Sequence, residues 1–110
     1  MKQVIVIFVS EDLQSCFNSL DRGKYEDKIL KKTIDNAIDA LKSDPCSGIK
    51  IARKKWPERY IKEYRVINLW KLNLSKAWRM TYMIKENDTH RFCIILEWMN
   101  HKEYERKFQY

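Results

Sequence analysis

Residues Trp70–Tyr82 read W-K-L-N-L-S-K-A-W-R-M-T-Y. Trp70, Leu72 and Leu74 alternate with Lys71, Asn73 and Ser75, and Trp78, Met80 and Tyr82 alternate with Arg79 and Thr81. A period of two marks a strand with one buried and one wetter face. Only Ser75, Lys76 and Ala77 separate the two halves. A hairpin centred on Lys76 therefore pairs Leu74 with Trp78, Leu72 with Met80 and Trp70 with Tyr82 on one face. The other face pairs Asn73 with Arg79 and Lys71 with Thr81.

A third alternating segment follows the charged turn 85–90. Phe92, Ile94, Leu96 and Trp98 are expected on one face, with Cys93, Ile95, Glu97 and Met99 on the other, completing a meander. Upstream, residues 3–9 (QVIVIFV) form a β-branched apolar run without polar alternation, which predicts a strand covered on both faces or lying near the core. Ser10 before Glu11 and Asp12 predicts an N-cap, and Leu13, Cys16, Phe17 and Leu20 keep helical spacing to a stop near Gly23. From Tyr25 to Ser43, Leu30, Ile34, Ala37, Ile38 and Leu41 draw one apolar stripe that Asp44-Pro45 ends. Residues 46–65 have no period and read as an irregular loop with at most one helical turn. The last eleven residues, NHKEYERKFQY, read as a short helical turn or a strapped tail. The predicted order is β-α-α-β-β-β. It describes an α+β domain, residues 1–110, with a largely antiparallel sheet, two N-terminal helices on one face and a short C-terminal turn.

The chain is 110 residues long, and 45% of them are hydrophobic, four Trp, six Tyr and four Phe included, enough for one core and too many for disorder. Lys and Arg number 22 against 15 Asp and Glu, a net charge of +7. The excess is not spread evenly: residues 1–45 carry 7 basic and 8 acidic side chains, and residues 46–110 carry 15 and 7. Ten basic residues fall between Lys50 and Arg79, with Trp56, Tyr60, Tyr64, Trp70 and Trp78 among them, which points to a polyanion partner. Trp70, Trp78 and Trp98 lie on expected core faces, leaving Trp56 as the tryptophan open to stacking on a base.

Cys16, Cys46 and Cys93 are odd in number, far apart and without a C-x-x-C pair, so reduced thiols are expected. Two histidines and no short-range ligand cluster predict no metal site and no cofactor. The longest apolar run, Val4–Val9, is too short for a membrane span or a secretion signal, and a cytoplasmic protein is expected.

The element order, the Trp70–Tyr82 hairpin and the sequence H-K-E-Y-E-R at His101–Arg106 together resemble the RelE/ParE superfamily of toxins from toxin-antitoxin modules. The resemblance implies a type II toxin, a ribosome-dependent endoribonuclease that cuts messenger RNA, inhibits translation and is silenced by an antitoxin protein. Monomer or hetero-oligomer with the antitoxin is the implied state. It leaves open a non-catalytic binding toxin, as in the branch that inhibits DNA gyrase, or a decayed, inactive toxin.

The reaction implied is attack of a ribose 2′-hydroxyl on the adjacent phosphate, which needs a base, an acid and cations but no metal. By resemblance Arg79 would clamp the scissile phosphate, as a fixed bidentate donor on a strand can. Lys71 would act as charge stabiliser or base. His101 would be the general acid or base, and Tyr104 would contact the substrate base. Asn73 departs from the second Lys of the best-known nuclease members, since an amide orients a phosphate without neutralising it. Glu97 is a weaker candidate, for base or for a structural salt bridge. Lys50, Arg53, Lys54, Lys55, Lys62 and Arg65, with Asn73, are the expected RNA contacts.

Overall fold

The computed structural model describes residues 2–109. Strand β1 (Gln3–Phe8) leads into helices α1 (Glu11–Ser19) and α2 (Tyr25–Ser43). The sheet is then completed by β2 (Ile49–Lys50), β3 (Trp70–Asn73), β4 (Trp78–Glu86) and β5 (His90–Asn100), and α3 (His101–Phe108) closes the chain. The strand order is β1-β5-β4-β3-β2, with β1 parallel to β5 and every other pair antiparallel.

The local signals act as read. Ser10 Oγ accepts from the Leu13 amide at 3.1 Å and starts α1. A signal not read from the sequence starts α2, where Asp27 reaches back to the Lys24 amide at 3.0 Å. Leu30, Ile34 and Leu41 on α2 are buried against Met80, Tyr82, Cys93 and Ile95 of the sheet, with Trp70, Trp78 and Trp98 around them. The hairpin register is the one the alternation dictates, Trp70 opposite Tyr82, Leu72 opposite Met80 and Asn73 opposite Arg79.

Four expectations are corrected. A fifth strand, β2, pairs Ile49 with Lys71 and Lys50 with Trp70; two residues are too few to leave a periodic trace. β1 lies at the edge of the sheet, and it is covered on one face only: Val4, Val6 and Phe8 pack under the helices, while Ile7 on the other face is 43% exposed. The faces of β5 do not alternate throughout: Thr81 pairs with Glu97 but Tyr82 with Ile95, so Leu96 is a bulge and sits on the same side as Glu97. Trp98 consequently joins Cys93 and Ile95 on the helix side, while Ile94, Leu96 and Met99 point away.

The sheet face away from α1 and α2, to which the sequence assigned no covering element, carries a second core. Ile51, Tyr60, Val66 and Leu69 from the loop and Tyr104 and Phe108 from α3 pack there on Met83, Leu96 and Met99. The loop is ordered by a 3-10 turn (Arg53–Lys55) and a π turn (Tyr60–Tyr64) that Arg65 ends at φ 51°. The Asn68 side chain then exchanges two 2.8 Å hydrogen bonds with the Ile84 backbone, standing in for a strand residue beside β4. Gly48 is required where the chain enters β2, since a Cβ there would lie 2.5 Å from the Lys71 carbonyl oxygen and 2.6 Å from the Tyr82 hydroxyl.

Candidate active site

Alternation carries Lys71 and Asn73 on β3 and Arg79 on β4 to the face opposite the long helices. The same face receives α3. Asn100 Oδ1 accepts from the Glu103 amide at 2.8 Å, and the His101 amide donates to the Ala77 carbonyl in the hairpin turn at 2.8 Å. The helix start is thus tied to the hairpin, and His101 arrives beside Arg79.

Arg79 is held from two sides. Its Nη1 donates to the Ser75 carbonyl at 2.8 Å and to the Trp78 carbonyl at 3.0 Å, and its Nη2 lies 3.1 Å from His101 Nδ1. A guanidinium has no lone pair to offer, so Nδ1 must be the acceptor and the ring proton belongs on Nε2. His101 Nε2 lies 2.6 Å from Glu105 Oε1, one turn along α3. Arg79, His101 and Glu105 therefore form a chain in which Nδ1 faces the guanidinium and Nε2 faces the carboxylate.

Lys71 completes the group, its ammonium 4.9 Å from the centre of the Tyr104 ring. Ile49, Lys71, Arg79, His101, Tyr104 and Glu105 line one shallow cleft of about 260 Å³. Tyr104 is only 3% exposed and stacks on Phe108 with ring centres 4.6 Å apart, so its ring belongs to the second core as much as to the cleft. Asn73 is exposed opposite Arg79 but lies outside this cleft, at the end of β3 on the rim of a groove between that strand and α2. Glu97 has the structural role: it accepts from the Tyr60 hydroxyl and from Lys107 at 3.2 Å, joining loop, sheet and α3. Thr81, wholly buried, shares the network through a 2.9 Å bond to Tyr60. Burial first, then the Glu97 carboxylate, hold the Tyr60 hydroxyl protonated well above the ordinary tyrosine range.

The structure brings together Arg79, Lys71, His101 and Tyr104 but scatters the other basic residues. Lys50 pairs with Trp70 and reaches over its ring on the helix side, across the sheet from Lys71. Arg53 lies over Trp56, whose own indole N–H donates to the Ile51 carbonyl at 2.9 Å. Trp56 is thereby packed on the second core rather than presented for stacking. Lys55 donates to the Gln109 carbonyl at 2.9 Å, and Lys62 pairs with Glu58 at 2.8 Å. Lys54 and Arg65 are exposed in the same loop. Glu105 is the residue the sequence reading missed. Its signal is the spacing of four from His101, which has meaning only once residues 101–108 are a full helix rather than a single turn. Among the described residues, no group of three or more His, Cys, Asp or Glu could hold a metal ion, and no helix is long and apolar enough to cross a membrane.

No family model matches the chain, and no curated protein matches it in sequence. A solved structure does: a YoeB/ParE toxin from Agrobacterium tumefaciens aligns over 92% of this chain and 99% of its own, with a TM-score of 0.58 at 14% identity. The chain has the fold of that toxin. The α+β architecture expected from the sequence, a largely antiparallel sheet with two N-terminal helices on one face, is the one the structure has.

Proposed function

We propose that this protein is the toxin of a type II toxin-antitoxin pair and that it cuts messenger RNA on the ribosome, with an antitoxin protein as its silencing partner. The observation that carries the nuclease reading is the Arg79–His101–Glu105 chain beside Lys71 in one cleft. A phosphodiester entering the cleft draws the Arg79 N–H groups onto its oxygens, where a charge-assisted pair is stronger than the bond to imidazole. His101 Nδ1 is then released as a lone pair for the proton of the attacking 2′-hydroxyl. Glu105, on the opposite ring nitrogen, stabilises the imidazolium that forms. Lys71 and Arg79 supply two positive charges to the developing phosphorane. Asn73 supplies none, and the 5′-oxygen leaves with a proton from His101 or Lys71.

Primer extension on a reporter message in a translating extract tests this. Wild-type protein is expected to give cuts that require ribosomes. Arg79→Ala should weaken them by about 100-fold or more, the scale of losing one preorganised donor. Glu105→Gln should weaken them by about 10-fold, the scale of losing a group that orients another. Intact RNA with folded wild-type protein sinks the nuclease reading.

A second reading, a toxin that binds without cutting, is favoured by the burial of Tyr104, which is only 3% exposed and offers little ring surface to a substrate base. Its signature is growth arrest that survives His101→Ala, with no cleaved message.

A further inference from the structure

The two edges of the sheet are guarded very differently. The β2 edge is two residues long and carries Lys50. The β1 edge is six residues long, QVIVIF, with no charge, proline, glycine or bulge. Natural proteins protect a strand edge with such devices or cover it, because its unpaired N–H and C=O groups seek a further strand. Among the described residues nothing pairs with the outer side of β1.

The direction of its free groups follows from the pairing with β5. The Gln3 amide donates to the Thr89 carbonyl at 3.1 Å and the Val9 amide to the Ile95 carbonyl at 2.8 Å, so odd-numbered amides face β5. The amides and carbonyls of Val4, Val6 and Phe8 therefore point outward. We propose that this edge pairs antiparallel with β1 of a second copy of the chain, with the two-fold axis at Val6. Val6 then lies opposite Val6, Val4 opposite Phe8 and Ile5 opposite Ile7, and every outward group finds a partner.

Three observations choose a second copy as the occupant. The strand ends are electrically complementary to each other: Lys2, whose ammonium lies 3.3 Å from Glu86 of its own chain, comes opposite Ser10 of the partner, next to the first-turn acids Glu11 and Asp12. A parallel arrangement would set like against like. The chain's basic excess lies in residues 46–110, so the edge belongs to a segment near neutrality, and two copies approach without the repulsion of the basic loop. Finally, one bare edge per chain makes the pairing isologous, so it closes at two copies rather than growing into a fibre. The exposed side chain of Ile7 gains a hydrophobic neighbour in Ile5 of the partner.

The test combines sedimentation velocity with amide exchange on the purified full chain. Wild type is expected to run as a dimer that dissociates on dilution, and Ile7→Lys and Val6→Pro as monomers at concentrations where wild type is dimeric. Val6→Pro removes only an outward N–H, a position where an edge strand accepts proline. In wild type, the amides of Val4, Val6 and Phe8 should exchange at least 10-fold more slowly in concentrated than in dilute solution, while those of Ile5 and Ile7 stay protected in both. This second readout needs no variant to fold. A wild-type chain that remains monomeric at its solubility limit overturns the proposal. So does a dimer in which the three outward amides exchange at one rate at every concentration, since its interface lies elsewhere.

Discussion

The two sides of the sheet are built on opposite plans. The helix side is regular: two amphipathic helices lay Phe17, Leu30, Ile34 and Leu41 on Met80, Tyr82, Cys93 and Ile95, and the polar groups buried among them include the Trp70 indole N–H and the Tyr82 hydroxyl. The hydroxyl donates to the Pro45 carbonyl at 2.8 Å and accepts from the Gly48 amide at 3.1 Å. The far side is irregular, assembled from a loop with a π turn, a β-bulge and a short helix, and it holds the Tyr60–Thr81–Glu97–Lys107 network in its interior. Non-directional burial organises the first side and directional bonds organise the second. Groups that must point at a substrate belong on the second plan, and the candidate cleft lies there.

Cutting into each plan should give different signatures. The largest loss is expected from Ile34→Ala, at a site with no exposure, where the deleted methylenes and the cavity left behind cost about 3–4 kcal/mol in urea unfolding. The RNA cleavage proposed above, measured per folded molecule, should be unchanged, and a fall in it would show that the two sides are coupled. Tyr60→Phe should cost about 1–2 kcal/mol, because Thr81 and Glu97 lose a buried partner. It should also change the pH dependence. The Tyr60 hydroxyl titrates above the ordinary value of 10.0 when folded, and burial raises Tyr82 likewise. Their contribution is whole below pH 10 and is lost as the pH rises beyond it, where the unfolded chain releases protons the folded one keeps. Urea midpoints above pH 10 should therefore fall less steeply in Tyr60→Phe than in wild type, and an unchanged slope would mean the hydroxyl is not held as described. The smallest effect is kinetic. Burial pushes the Cys93 thiol up to about 11, whereas Cys16 and Cys46 are exposed, so a thiol reagent at neutral pH should modify two cysteines at once and Cys93 only as the fold opens.

The same contrast explains what could be read in the sequence. Trp70–Tyr82 and the Leu30–Ile34–Leu41 stripe are periodic, and periodicity is a statement about one element and one face, so the helix side was legible down to individual pairs. The bulge at Leu96 breaks the count without any glycine or proline to announce it, and every face assignment on β5 across that point was mixed as a result. Tyr60, Glu97 and Lys107 meet only through tertiary packing, 37 and 10 residues apart in sequence, and no local pattern links them. Arg79, Lys71, His101 and Tyr104 were singled out together because alternation and the family likeness point to one face, and they line one cleft. Glu105 was not, because its role depends on a helix read as a turn.

The bulge also bears on how the chain can vary between generations. Removing Leu96 would leave Thr81 opposite Glu97 and Tyr82 opposite Ile95, the partners they already have, and the ladder would run on without interruption. Elsewhere inside the central strands a one-residue deletion inverts everything downstream. Position 96 is thus a joint where the sheet can lose a residue without being rethreaded, so descendants of this sequence could trim the far side there while inheriting the helix side intact.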